Sequence, residues 1–580
     1  MYITCLATDY DGTLAHDGAV EDATVQALIE LKTSGRKLIL LTGRELPDLA
    51  RAFARLDLFD RIVAENGALL FDPATKKETP LAPEPRRDFV DRLKTKGVAP
   101  LSVGKSIVAT WEPNETSVLE ATRELGLELQ IVFNKGAVMV LPAGVNKASG
   151  LKAALADLGF SAHNVVAVGD AENDHAFMQE SGFAVAVANA LAAIKDEADL
   201  VTRGARGAGV VELIGLLIER DAEAFAPAKE HRAVEIGVRR DGRPLIVHPY
   251  RQAILVAGLS GGGKSTLATA LIERIVALGF QAVVVDPEGD YAGLRSAVAL
   301  GDATAPPHLS EILKVIERPE TNLVINMLAA PPADRPAAFT RYASAIGDFR
   351  ARLGRPHWIL VDEAHHVLPA ERDAGAAALP PNLPTAVFVT VDPEALARNA
   401  LDQVDTLFAV GTKPAETIEA FCRGLAIPAP AIEQVKLKPG EALVWQKRSG
   451  QPPEIVTLHP PAEKSGRHTR KYAKGELGED KSFYFRGPKN ALNLRAQNLT
   501  IFLQIADGVD DETWTHHAKR HDVSHWISEA IKDEELAAEA RAAEDEADPK
   551  NSRRLVREAI ERRYTAPAEG THAGHGGVAE

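Results

Sequence analysis

Short apolar runs that end in polar residues alternate with stretches whose apolar positions recur at helical spacing. CLATDY (5–10), KLILLTG (37–43), RIVAENG (61–67) and VVAVGD (165–170) read as buried strands. ATVQALIELKTSG (23–35) and PDLARAFARLDL (47–58) read as amphipathic helices between them. This alternation predicts βαβ units around a parallel sheet. Residues 224–250 break the rhythm and read as a linker with one or two short strands. A second alternating block runs from AILVAG at 253 to about 460. The polar, basic stretch 460–480 reads as another linker, 481–565 as a mostly helical module, and the small, polar end of the chain as a disordered tail. No repeat of solenoid period is present.

Composition adds limits rather than chemistry. A chain of 580 residues has room for about three or four domains. Hydrophobic residues at 45% and charged residues at 25% are ordinary for a globular protein. No apolar run reaches the ~18 residues a membrane helix needs, and the first residues do not read as a secretion signal. The only two cysteines, Cys5 and Cys422, exclude a disulfide framework and a thiolate metal site, so a cytoplasmic setting is expected. A net charge of −15 argues against a surface generally coated by nucleic acid, though a local basic groove stays open.

Two stretches look built for phosphate. In ATDYDGTL (7–14), Asp9 and Asp11 follow a strand, at the sheet edge where ligands bind. One carboxylate can attack phosphorus and the other can carry a proton to the leaving oxygen. Thr42 ends a second strand and offers a hydroxyl to a phosphoryl oxygen. Lys147, in GVNKASGL, can offset transition-state charge. Asp170, Asn173 and Asp174, in VAVGDAENDHAFM, are oxygen donors suited to Mg²⁺.

DYDGTL, TGR, ENGA, NK and GDAEND, in this order and spacing over about 1–220, resemble the haloacid-dehalogenase superfamily and its Cof-like phosphatases. The resemblance implies a Rossmann-like core at 1–222 with a small α+β cap at about 72–141. It makes Asp9 the nucleophile and Asp11 the general acid/base, with Thr42 and Lys147 holding the phosphoryl group. Asp9, Asp170 and the backbone of Asp11 would hold Mg²⁺, with Asp174 and Asn173 supporting the site. Glu65 and Asn66 are candidates to face the cap. Family members with such caps hydrolyse small esters such as phosphoglycolate or sugar phosphates.

GLSGGGKST (258–266) fits the pattern G-x-x-x-x-G-K-[ST] between a strand and a helix. Gly258, Gly261 and Gly263 let backbone amides face phosphate oxygens. Lys264 reaches the β- and γ-phosphates, and Ser265 and Thr266 complete the nucleotide loop, Ser265 on Mg²⁺. HWILVDEAHHV adds Asp362 for the metal and Glu363 to polarise water. With AVVVDPEGDY between them, these motifs resemble HerA/FtsK-like P-loop ATPases over about 245–450, which implies ATP as ligand and an oligomer formed through residues 253–460. The resemblance departs at the strand after Asp362-Glu363. That strand usually carries a polar sensor, often glutamine, and here offers Thr390. Arg341, Arg352 and Arg355 are candidate arginine fingers. A nucleic-acid motor with an accessory phosphatase and a kinase/phosphatase pair are the alternative readings.

In the last module, His516, His517, His521 and His525 raise a metal site. The absence of nearby cysteines favours a polar or partner-facing helical surface. GRHTRKYAKG (466–475) is the strongest local basic patch.

Overall fold

The computed structural model describes residues 1–134, 136–225, 233–248, 252–259, 261–372, 379, 383, 385–432, 435–462, 477, 481–488, 490–531 and 533–564. The expected tail at 566–580 and the basic patch at 466–475 lie outside them. The chain forms two compact units, residues 1–289 with 294–462, and residues 290–293 with 463–580.

The first unit holds two large sheets. One has eight strands, in the order Leu200–Val201, Phe183–Ala186, Val165–Gly169, Cys5–Asp9, Lys37–Leu41, Arg61–Ala64, Leu69–Asp72, Lys77–Pro80. The first six run parallel and the last two close an antiparallel edge. The central strands Cys5–Asp9 and Val165–Gly169 are buried along their whole length, which their unbroken runs of apolar and small residues allow. Each fully buried Val, Leu or Ile contributes about 1.5–3 kcal/mol. All the catalytic candidates of this sheet sit at or just beyond its carboxyl edge.

A separate four-stranded antiparallel sheet, ordered Ser102–Val103, Val108–Trp111, Ala137–Pro142, Leu129–Asn134, packs with the helices Arg87–Thr95 and Glu115–Glu124. This is the cap. Its expected start at 72 is too early, because Lys77–Pro80 pairs with Leu69–Asp72 and so belongs to the core sheet.

The second sheet has eleven strands. Around its centre the order is Thr406–Ala409, Ala253–Ala257, Thr385–Thr390, Trp358–Val361, Ala282–Asp286, all parallel. The strand ending in Thr390 therefore separates the strand before GLSGGGKST from the strand before Asp362. Val234–Arg239 and Pro244–Val247 form an edge hairpin of this sheet through pairing with Glu454–Leu458, so 223–252 is not only a linker.

The second unit carries one short hairpin, Phe483–Phe485 with Leu494–Ala496, and helices including Leu499–Gly508, Asp511–Ala518, Glu534–Glu544 and Pro549–Tyr564 around Phe485, Phe502 and Trp514. Among the described residues no helix is long and apolar enough to cross a membrane.

Candidate active site

The parallel register sets the first site. Cys5–Asp9 lies between Val165–Gly169 and Lys37–Leu41, so Asp9, Asp170 and Thr42 emerge side by side. Lys147 enters as the first residue of the helix Lys147–Leu158, started by the Asn146 side chain, which accepts a hydrogen bond from the Ser149 amide. Its Nζ donates to Asp9 Oδ1 and to Asp174 Oδ1, both at 2.6 Å. The other Asp174 oxygen accepts from the amides of Asp170 and Ala171, at 2.9 and 3.0 Å. Thr13 Oγ1 donates to Asp170 Oδ1 at 3.2 Å. Thr42 Oγ1 accepts from the Arg44 amide at 3.1 Å, which leaves the hydroxyl proton to donate elsewhere. Asn173 Nδ2 donates to Asn66 Oδ1 at 3.2 Å.

Asp9, Asp170 and Asp174 are buried and offer oxygens within 4.8 Å of one another, the one such group among the described residues. Burial first, and then the Asp174 charge, push the Asp9 carboxyl up to about 8 against the pull of Lys147. Burial works against the Lys147 ammonium, but Asp174 and Asp9 outweigh it and its pKa rises. Three buried carboxylates with one ammonium are short of positive charge, and the donors are all hard oxygens. The set therefore fits a small divalent cation such as Mg²⁺. Asp174 accepts from Lys147 on one oxygen and from the 170–171 amides on the other, while Asp170 Oδ2 accepts from Asn189 Nδ2 at 3.4 Å. The Asp11 carboxylate is outside the group, because Arg44 grips it from Nε at 2.8 Å and Nη2 at 2.7 Å.

Arg44 is a residue the sequence reading missed, although TGR contains it. It joins Asp11 to Asp48 and faces a cavity of about 570 Å³. Asp9 and Asp11 line the cavity on the core side, and Ser102, Thr110, Trp111 and Met139 line it on the cap side. Glu65 is buried and its carboxylate reaches the cap's backbone.

The second candidate site lies at the carboxyl edge of the eleven-stranded sheet. Gly258, Gly261 and Gly263 all have positive φ, and a Cβ on Gly258 would meet the Val410 carbonyl oxygen at 2.2 Å. Ser260 lies outside the described residues. The buried Lys264 opens the helix Lys264–Ala277, and its Nζ donates to the carbonyls of Gly258 and Leu259, at 2.8 and 3.2 Å. Ser265 and Thr266 follow on the first turn. Asp362 is buried, and Glu363 has φ 38°. Burial and then Asp362 raise the Glu363 pKa, with Lys264 opposing. Glu363 Oε2 is buried and makes no hydrogen bond. Thr390 is buried and shares a 3.2 Å hydrogen bond with His365 Nδ1. Of the candidate arginine fingers, Arg341 and Arg352 are exposed. Arg355 is not available, because it is buried and donates to the carbonyls of Gly159, Ile316 and Glu317.

Among the described residues, the four histidines of the second unit form no group able to share a metal ion. His517 Nε2 accepts from the Arg486 amide at 3.0 Å, and Nδ1 faces Asp522 Oδ2 at 2.8 Å. His521 turns instead toward Glu544 and Asp545. His516 and His525 line, with His517, a cavity of about 560 Å³.

The haloacid dehalogenase-like hydrolase family matches residues 6–124 and 117–214. The central domain of helicase HerA matches residues 249–335. The phosphoglycolate phosphatase of Methanothermobacter thermautotrophicus is 31% identical over 219 residues, 36% of this chain and 96% of the relative. Phosphoglycolate phosphatase 2 of Saccharolobus solfataricus is 29% identical over 217 residues, 37% of this chain and 91% of the relative. The crystal structure of a haloacid dehalogenase-like hydrolase from Bacteroides thetaiotaomicron is 19% identical, with a TM-score of 0.33, and covers 37% of this chain and 98% of its own.

Proposed function

Because this chain belongs to the haloacid dehalogenase-like hydrolases through its N-terminal part, we propose that Asp9 and Asp11 hydrolyse small phosphate monoesters of the phosphoglycolate kind with Mg²⁺, while residues 253–460 bind and hydrolyse ATP. The observation that carries the first half is the Lys147 ammonium bridging Asp9 and Asp174 at 2.6 Å, with Asp170 alongside, under a cap cavity of about 570 Å³.

Asp9 Oδ attacks phosphorus, the bond from phosphorus to the ester oxygen breaks, and Asp11 gives that oxygen its proton. Asp11 then takes a proton from water, whose oxygen attacks the aspartyl-phosphate and releases inorganic phosphate. The Thr42 hydroxyl donates to a phosphoryl oxygen, and Lys147 balances the charge that gathers on the group. Arg44 aims Asp11, and Asp174 aims Lys147. Asp9 and Asp170 would hold the Mg²⁺, which supplies charge neutralisation for the phosphoryl oxygens. The cap excludes bulk water from the cavity.

In the second half, the glycine loop would wrap the phosphates, with Lys264 leaving the Gly258 and Leu259 carbonyls for the β- and γ-phosphates. Ser265 and Asp362 would hold Mg²⁺, and Glu363, whose Oε2 makes no hydrogen bond, would orient the attacking water. The match to the HerA central domain supports this reading. Arg341 and Arg352 are free at the surface to serve a neighbouring copy.

The test is phosphate release, with Mg²⁺, from a panel of monoesters and from ATP. Asp9→Asn should abolish only monoester turnover and Lys264→Ala only ATP turnover. A wild-type protein that cleaves no monoester in the panel would overturn the first half.

A further inference from the structure

Three residues, Glu65–Gly67, form a short turn after the strand Arg61–Ala64, and the segments that carry Thr42, Arg44, Asn173 and Lys147 touch it. The Glu65 amide donates to the Arg44 carbonyl at 3.0 Å, and the Asn66 amide to the Thr42 carbonyl at 2.9 Å. The Asn66 side chain accepts from Asn173 in the acidic loop. Gly67 packs so closely on the residue before Lys147 that a Cβ there would lie 1.9 Å from the Asn146 carbonyl oxygen. Glu65 and Asn66 both hold left-handed backbone, at φ 51° and 53°. Two consecutive residues other than glycine in that region carry strain that surrounding contacts must hold.

The Glu65 side chain carries those contacts into the cap. It is 2% exposed. Its Oε1 accepts from the Lys105 amide at 2.9 Å, and its Oε2 from the amides of Ser106 and Ile107 at 2.8 and 3.1 Å. The three donors form the turn between the cap strands Ser102–Val103 and Val108–Trp111, which line the cavity. Gly104 leaves the space for this, since a Cβ there would sit 2.8 Å from the Glu65 carboxyl carbon.

We infer that Glu65 is the latch that holds the cap closed over Asp9 and Asp11, and that this latch restricts the site to small esters. The inference rests on the phosphatase reading above. Glu65 does not touch the reacting atoms and is a positioning residue. It binds the cap by charge-assisted hydrogen bonds to backbone, so the cap's sequence can vary while the latch stays.

The experiment uses the full chain with Mg²⁺ and two variants that break the latch from opposite sides, Glu65→Gln and Gly104→Ala. Glu65→Gln keeps one acceptor oxygen, and losing one or two of the three bonds is worth about a 10- to 100-fold shift in the closed population. Amide exchange at Lys105, Ser106 and Ile107 should accelerate by about that factor in both variants, with the strand Cys5–Asp9 unchanged. Turnover of phosphoglycolate should fall through a higher KM, and p-nitrophenyl phosphate should be cleaved as well as before or better. Unchanged exchange at 105–107 in both variants overturns the latch. So does faster exchange at Cys5–Asp9 with equal loss on both esters, which would make Glu65 a structural core residue. A wild type inactive on both esters would count against the phosphatase reading alone, since the exchange arm still decides the latch.

Discussion

At the scale of single residues, the phosphatase centre is short of positive charge. Burial and the Asp174 charge disfavour an ionised Asp9, so removing that charge should relieve the fold while removing the nucleophile. Asp9→Asn keeps an oxygen for Lys147 and should melt at a higher temperature than wild type in Mg²⁺-free buffer, while monoester turnover falls by about a thousandfold or more. A lower melting temperature would mean that the Asp9–Lys147 ion pair outweighs the repulsion. In the other site, Lys264→Ala removes the side chain that donates to the Gly258 and Leu259 carbonyls and should leave monoester turnover untouched. The candidates for this chemistry were legible in the sequence because each lies in a short motif at a strand end or a helix start. Arg44 was not legible in its role, because its partner Asp11 is 33 positions away in the chain and only the parallel pairing of Cys5–Asp9 with Lys37–Leu41 brings them together. ENGA offered Glu65 as a residue facing the cap, but not which cap amides its carboxylate would meet 40 positions away.

At the scale of elements, periodicity located the helices and central strands and misjudged the edges. Lys77–Pro80 is polar and mostly exposed, so nothing in KETP marks it as a strand of the core sheet. Val234–Arg239 belongs to the second sheet through a partner more than two hundred residues later, which no local pattern can report. The histidines of the second unit carried a similar ambiguity, settled by the helix that follows them. Glu544 Oε1 accepts from the amides of Val523 and Ser524, capping the helix Asp522–Trp526, while its Oε2 makes no hydrogen bond. Burial raises its pKa. An acid whose folded pKa is raised holds its proton longer in the folded state, so its contribution to stability is lost as pH rises from the ordinary glutamate value through the raised one. Glu544→Gln keeps the capping oxygen and removes that loss. In urea unfolding of the second unit, followed by exchange at the Val523 and Ser524 amides, the variant should gain on wild type at pH 8 and show no gain at pH 4. An equal gap at both pH values would sink the argument.

At the scale of the first unit, the two sheets meet through the residues that precede their central strands. Asn164, just before Val165–Gly169, donates from Nδ2 to the carbonyls of Tyr2 and Gly354, at 2.8 and 3.1 Å. Its Oδ1 lies 3.0 Å from Nε2 of His357, just before Trp358–Val361, and His357 Nδ1 accepts from the Gln281 amide at 2.9 Å. Nε2 therefore carries the proton, and burial keeps the ring neutral. Arg355 adds a 2.9 Å bond to the Gly159 carbonyl, and His163 stacks on Phe280 at 3.8 Å. All of this lies at the amino ends of the strands, whereas Asp9, Asp170, Asp286 and Asp362 lie at or just past the carboxyl ends. Each site is thus about 15 Å, one strand length, beyond the junction. Such a layout does not serve a phosphoryl group handed directly from one site to the other. Asn164→Ala separates mounting from chemistry. It strips partners from the His357 ring and two buried carbonyls, at about 1–3 kcal/mol for each group left unsatisfied. Calorimetry should show a lowered transition that divides into two as the phosphatase and ATPase parts unfold apart. Below that transition, monoester and ATP turnover should stay within about twofold of wild type, as for distant independent sites. A large loss of either activity in the folded variant would show instead that the junction carries a signal between the two sites.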